Sequence, residues 1–182
     1  MQQGLILVDI QNDYFTGGNM ELSGMDRASN NAAILLQEFR NRDLPVFHIR
    51  HISKRTGATF FLPKTKGAEI HKTVTPLQDE PVIEKHYPNS FRETSLLDQL
   101  KSTGIEETII CGAMSHMCID ATTRAAFDLG FSCTVIEDAC ATRDLEHHGK
   151  TVSAIEVHTA FMAALATPYA RVIPLSEFEV SG

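Results

Sequence analysis

Three residue types that together perform covalent hydrolysis close or follow apolar runs in this 182-residue chain. Asp9 ends the run GLILVD, Lys85 ends PVIEK, and Cys118 follows the run 108–111 after Gly112 and a short link. A thiolate is a strong nucleophile. A carboxylate can take the thiol proton and return it to a leaving amine, and an ammonium can steady both charges. No histidine is required. From Ile119 onward a helical pattern begins, with Ile119, Thr122, Ala126 and Leu129 at three- and four-residue steps and Gly130 as the stop. A cysteine at such a handover from strand to helix faces the free amides and positive dipole end of the helix. That environment favours a thiolate and can hold an oxyanion. Each residue also has an inert alternative: Cys118 as a core thiol, Asp9 as a loop cap, Lys85 as a solvated strand end.

The elements that would have to bring these groups together alternate along the chain. Apolar or β-branched runs predict strands at 4–9, 44–50, 81–85, 108–111, 132–138 and 170–175. Helical spacing predicts helices at 26–42, capped by Asp26, from Thr94 or Ser95 to 102, at 119–129, and at 145–166. The last carries a stripe of Ile155, His158, Phe161, Met162 and Leu165. This order predicts an α/β fold: three α/β/α layers around a doubly wound, mainly parallel six-stranded sheet. Length and the lack of a linker predict one domain over residues 1–182. Ligands of such sheets bind beyond the carboxyl ends of the strands, where Asp9, Lys85 and Cys118 fall. Residues 51–80 are irregular, with Gly57, Pro63, Gly67, Pro76 and the pair Phe60–Phe61. A loop of that length is expected to serve as a lid or an oligomer contact.

Charge and cysteine usage narrow the classes. A formal net charge of −7 argues against nucleic-acid and anionic-membrane partners. No apolar run approaches the length of a membrane span, and no signal peptide is evident, so a cytoplasmic location is expected. Cys111, Cys118, Cys133 and Cys140 match no zinc spacing and are expected as free thiols.

At these same residues the chain resembles the isochorismatase-like cysteine hydrolases, the superfamily that includes nicotinamidases and N-carbamoylsarcosine amidases. The segments LILVDIQNDYFTGGNMEL, VFHIRHIS, PVIEKHYPNSF, CGAMSHMCIDATTRAA, EDACATRDLEHHG and VHTAFMAAL occur in the family's order over nearly the whole chain. The resemblance implies a catalytic triad of Asp9, Lys85 and Cys118. It also implies a non-proline cis peptide at Ala113–Met114 that turns the Met114 amide inward, forming an oxyanion hole with the Cys118 amide. A homo-oligomer, dimer or tetramer, is implied as well. One motif departs from the nicotinamidases: their metal-binding Asp-x-His after the second strand reads Arg50-His51-Ile52 here. No metal and no cofactor are therefore expected, although His48, His51 and His71 are present.

The expected function is hydrolysis of a C–N bond in a small amide, ureido compound or lactam through a thioester. Isochorismatases acting on a vinyl ether often lack the cysteine, so Cys118 points toward a carbonyl substrate. Gln11, Phe15, Tyr87 and His116 are further candidates for substrate contact. Two rival readings stay open: a redox-active thiol with Cys140 as resolving partner, and a binding protein without catalysis on the same fold.

Overall fold

The computed structural model of the chain describes residues 1–179. The last three residues of the expected 1–182 domain lie outside the described residues. The main sheet is built around β1 (Gln3–Val8), whose six residues are all buried. β2 (Val46–His51) and β4 (Glu107–Ala113) flank it, followed outward by β3 (Val82–Lys85) on one side and β5 (Ser132–Ala141) and β8 (Arg171–Ile173) on the other. The strand order is thus β3-β2-β1-β4-β5-β8, and every pairing is parallel. Burial on both faces explains why β1 is apolar without alternation, whereas edge strand β3 alternates exposed and buried. The order reverses between β1 and β4, which sets the ligand-binding crevice there.

Helix α1 (Met25–Asn41) buries Ala28, Ala32, Leu35, Leu36 and Phe39 against the sheet, the face expected from its spacing. Its start differs from expectation. Gly24, at φ +75°, occupies the cap, and Asp26 lies inside the first turn, where its charge favours the helix dipole. Helix α2 (Leu96–Ser102) leads from β3 to β4, and α3 (Asp120–Asp128) from β4 to β5. Because parallel crossovers are right-handed, connections that run in opposite directions along the sheet lie on opposite faces. That rule produces the three layers.

Three expected elements are redrawn. The strand at 108–111 does not stop at Gly112 but continues through it to Ala113. Gly112 has φ +123°, and a Cβ there would run into the Val8 carbonyl oxygen, so the close approach of β4 to β1 requires glycine. The helix expected over 145–166 is a hairpin followed by a shorter helix. β6 (Leu145–His147) pairs antiparallel with β7 (Lys150–Val152), and His148 and Gly149 both turn at positive φ. Helix α4 (Ala154–Leu165) then starts at Ser153, which forms a reciprocal capping box with Glu156. Its buried face is Ala154, Val157, Met162 and Leu165, while Ile155, expected inside, is two-thirds exposed. Strand β5 also runs three residues longer than expected, reaching Ala141 beside Ala113 across an irregularity in its pairing with β4. No helix among the described residues is long and apolar enough to cross a membrane.

Candidate active site

Asp9 follows β1 at the centre of the sheet and is fully buried. Its backbone sits at φ +52°, a region aspartate tolerates better than most residues, and its N–H donates to the Ile49 carbonyl at 3.1 Å. Lys85 ends β3 in register with His51 of β2. Its ammonium reaches over β2 to lie 2.8 Å from Asp9 Oδ2, and donates to the carbonyls of Tyr87 and Pro88 at 3.1 and 3.2 Å. Asp9, these two carbonyls and, at 3.5 Å, His51 Nδ1 surround the ammonium of a lysine without solvent exposure. Burial works against the charge, but Asp9 and Cys118 outweigh it and hold Lys85 above its ordinary pKa. The Asp9 contact combines charge with hydrogen-bonding distance, and Cys118 lies on the other side of the same carboxylate. No backbone N–H among the described residues donates to either carboxylate oxygen.

Cys118 lies in a five-residue π-helical turn, Ser115–Ile119, between β4 and α3. Turns of this kind recur at functional sites, where the wider bonding pattern re-aims a side chain. Here Met117 and Ile119 both donate to the Met114 carbonyl, and the Ala113–Met114 peptide is cis. The turn is pinned from behind. Ser115 Oγ lies 2.8 Å from His158 Nδ1 of α4, and His116 Nδ1 lies 2.6 Å from Thr142 Oγ1. The expected dipole-lowered thiol is overturned by its surroundings. Burial first, and then the Asp9 charge, push Cys118 up to about 12 against the opposing pull of Lys85. The resting group is therefore a neutral thiol beside a carboxylate.

Cys118 opens into a cavity of ≈ 340 Å³ lined by Tyr14, His51, Phe60, Phe61, Met114, Met117, Arg55 and Arg143, among others. The aromatic rings come from two loops that one acid ties together. Asp13, buried, accepts from the Asn19 N–H and side-chain amide and from the Phe61 N–H at 2.6 Å. Phe60, Phe61 and Tyr14 then pack ring against ring, with centroids 4.6–6.0 Å apart. The irregular segment 51–80 thus supplies much of one cavity wall.

Asp9, Lys85 and Cys118 are brought together; the four candidates for substrate contact are not. Gln11 is buried and spends its amide on backbone, donating to the His51 and Ala68 carbonyls and accepting from the His51 N–H. Phe15 stacks on His71 at 3.6 Å between centroids. Tyr87 contributes its carbonyl to Lys85, while its ring lies under Arg92. His116 turns to Thr142 and Phe161. Cys140 pairs in register with Gly112 inside the sheet, away from the cavity lining. In their place the cavity takes His51, whose Nδ1 is 3.5 Å from Lys85 Nζ. Its register opposite Lys85 was the available signal. Burial holds His51 below its ordinary pKa, with Asp9 opposing and Lys85 adding to the effect.

Donor atoms of Asp9, His51 and Cys118 lie within 4.8 Å of one another, close enough to share a metal ion. The fit fails on charge: the Lys85 ammonium stands 2.8 Å from the carboxylate and 3.5 Å from the imidazole, where it would repel a dication. The other two histidines are not gathered there, since His48 bonds Glu80 and His71 bonds Thr73.

The chain is a doubly wound α/β protein with a thiol, a carboxylate and an ammonium gathered at the carboxyl edge of its sheet. More narrowly, it belongs to the isochorismatase family and is a hydrolase of that family: the isochorismatase domain model matches residues 3–167. It is 52% identical over 172 residues to the "uncharacterized isochorismatase family protein YddQ" of Bacillus subtilis strain 168, covering 94% of this chain and 96% of that one. It is 32% identical over 143 residues to streptothricin hydrolase of Streptomyces noursei, covering 79% of this chain and 51% of that one. Among solved structures, an isochorismatase from Pseudomonas putida KT2440 superposes with a TM-score of 0.91 at 38% identity, covering 98% of this chain and 90% of that one.

Proposed function

We propose that the protein hydrolyses a C–N bond of a small amide, ureido compound or lactam through a thioester on Cys118. The observation that carries this reading is the meeting of sulfur, carboxylate and ammonium beside one cavity, with the thiol held neutral and the carboxylate short of donors. A neutral thiol does not attack well, so its proton must leave as the S–C bond forms. Asp9 accepts it. The carbonyl oxygen gains the charge and is held by the backbone amides of Met114 and Cys118, which border the same cavity. Asp9 then passes its proton to the departing nitrogen as the C–N bond breaks. Water, deprotonated by Asp9, attacks the thioester; the acid product leaves and the proton returns to sulfur. Lys85 balances the Asp9 charge throughout and fixes its position, while Gln11 holds His51 and the loop backbone around the site.

A relative named for hydrolysis of streptothricin supports the hydrolase chemistry. Protonation of a vinyl ether would leave Cys118 without a task, and Cys140 lies outside the cavity where a resolving thiol would be needed. Release of ammonia or amine from a panel of small amides, ureas and lactams tests the reading, with Cys118→Ala as control. Turnover that survives this substitution refutes covalent catalysis. Light scattering measures the homo-oligomer, dimer or tetramer, that belongs to the same reading.

A further inference from the structure

Asp9 serves both halves of the reaction, but its surroundings change between them. In the resting protein the Cys118 thiol donates to this carboxylate on one side, while Lys85 stands 2.8 Å away on the other. Once sulfur carries the acyl group it has no proton, and Asp9 loses that donor. No backbone N–H among the described residues takes its place. A water molecule must then enter, keep one lone pair on the acyl carbon and point a hydrogen at Asp9. A carboxylate alone fixes that hydrogen and leaves the oxygen free to swing.

His51 supplies the missing hold. One of its ring nitrogens, a carboxylate oxygen of Asp9 and Cys118 Sγ all lie within 4.8 Å of one another. Two hydrogen bonds of about 2.8 Å that meet at a tetrahedral oxygen span about 4.6 Å, so one water can bridge acid and imidazole while facing the carbon bonded to sulfur. The neighbours of the ring set its proton. Lys85 Nζ lies 3.5 Å from Nδ1. An ammonium donates and does not accept, so Nδ1 is the acceptor and the proton of the neutral ring is assigned to Nε2. Burial, which holds His51 below its ordinary pKa, keeps the ring neutral. Nε2 has no hydrogen bond among the described residues, and His51 lines the cavity. The backbone beneath the ring is clamped. Gln11 Oε1 accepts from the His51 N–H at 2.7 Å, and Gln11 Nε2 donates to the His51 carbonyl at 2.9 Å. Phe61 packs beside the imidazole, 5.9 Å between centroids.

We propose that His51 is a further catalytic residue, donating its Nε2–H to the water that hydrolyses the Cys118 thioester and so aiming that water between Asp9 and the acyl carbon. The C–O bond forms as one water proton passes to Asp9. The C–S bond then breaks, and Asp9 returns that proton to sulfur. His51 keeps its own proton throughout. This inference rests on the thioester reading and gives the second half of it to a residue outside the group of Asp9, Lys85 and Cys118.

An activated ester separates the two halves. With p-nitrophenyl acetate, release of nitrophenolate reports acylation of Cys118, and the mass of the intact protein reports loss of the acetyl group, with Cys118→Ala as the blank. In His51→Phe, acylation should stay within about threefold of wild type while loss of acetyl slows by about 10²-fold, so that a burst appears and acetyl-Cys118 accumulates. His51→Asn keeps an N–H donor and should recover part of the deacylation rate; it also guards against a folding defect in the Phe variant. Hydroxylamine attacks the thioester without the held water and should restore turnover of His51→Phe more than it raises that of wild type. Equal slowing of both halves in His51→Phe overturns the role of His51, as does hydroxylamine acting no better on the variant than on wild type. Acetyl taken up and lost at one rate by wild type and both His51 variants keeps the thioester reading and removes His51 from it. Failure of Cys118 to take up acetyl in every protein, wild type included, refutes the thioester reading and the role of His51 with it.

Discussion

The two ends of the sheet each hold a carboxylate beside a cation, and they use it in opposite ways. At the amino-terminal end, Glu80 accepts from Arg40 Nε and Nη2 at 2.7 Å, from the Leu77 N–H at 2.9 Å, and lies 2.9 Å from His48 Nε2. Burial alone would raise its pKa, but these donors bring it down to about 2. It borders a groove of ≈ 480 Å³, larger than the cavity at Cys118, that is lined by no cysteine. At the carboxyl end, Asp9 has one cation at 2.8 Å, a thiol beside it, and no backbone donor. A carboxylate whose lone pairs are all taken is a fastener, whereas one with lone pairs free beside a thiol is a base. Reactivity in this fold follows from how many donors each acid is denied, more than from cavity size.

The largest effect should separate the ends by kind. Cys118→Ala and Asp9→Asn are expected to lower kcat by at least about 10³-fold with little change in folding. Glu80→Ala should leave kcat within about twofold but cost about 1–2 kcal/mol of stability, because Arg40 and His48 lose their shared partner. Steady-state kinetics and urea unfolding of the same three proteins decide it. A Glu80 variant that loses catalysis without losing stability would erase the contrast.

A smaller effect concerns the charge around the thiol. Asp9 raises the Cys118 pKa and Lys85 lowers it. Asp9→Asn should therefore speed alkylation of Cys118 by neutral iodoacetamide at pH 8, by about tenfold, while Lys85→Met slows it by a similar factor. The same Asp9 variant is thus more reactive as a thiol and inert as an enzyme. Slower alkylation in Asp9→Asn would show that the carboxylate activates the sulfur before substrate arrives.

What the sequence displayed of this arrangement depended on local periodicity. Asp9 was legible because β1 is buried on both faces, so its apolar run has a clear end. Lys85 and Cys118 were legible less directly, since β3 alternates exposed and buried and β4 runs past its expected end, and the order of the family-like segments singled them out. The sheet and the inner face of α1 followed from spacing alone. The hairpin β6–β7 was hidden because Leu145, Glu146 and His147 suit a helix, although His148-Gly149 and the Ser153–Glu156 capping box were signals of a turn and a later start. The cavity wall was hidden for a deeper reason. Gln11, Phe15, Tyr87 and His116 are near the catalytic positions in sequence, but their side chains turn to backbone, His71, Arg92 and Thr142. Arg143 and Phe61 reach the cavity through Thr142 and Asp13, contacts that span long sequence separations and leave no periodic trace.

The smallest expected effect follows from acid. Glu80 has a folded pKa of about 2, below the ordinary 4.5. The folded state therefore binds this proton less readily than the unfolded chain does. The stability it supplies is complete above about pH 4.5 and is lost as pH falls toward 2. The side chain is partly solvated, so screening reduces the loss to about 1–2 kcal/mol. Glu80→Gln should flatten that part of the stability profile measured by urea unfolding between pH 5 and 2.5, with other carboxylates common to both proteins cancelling in the difference.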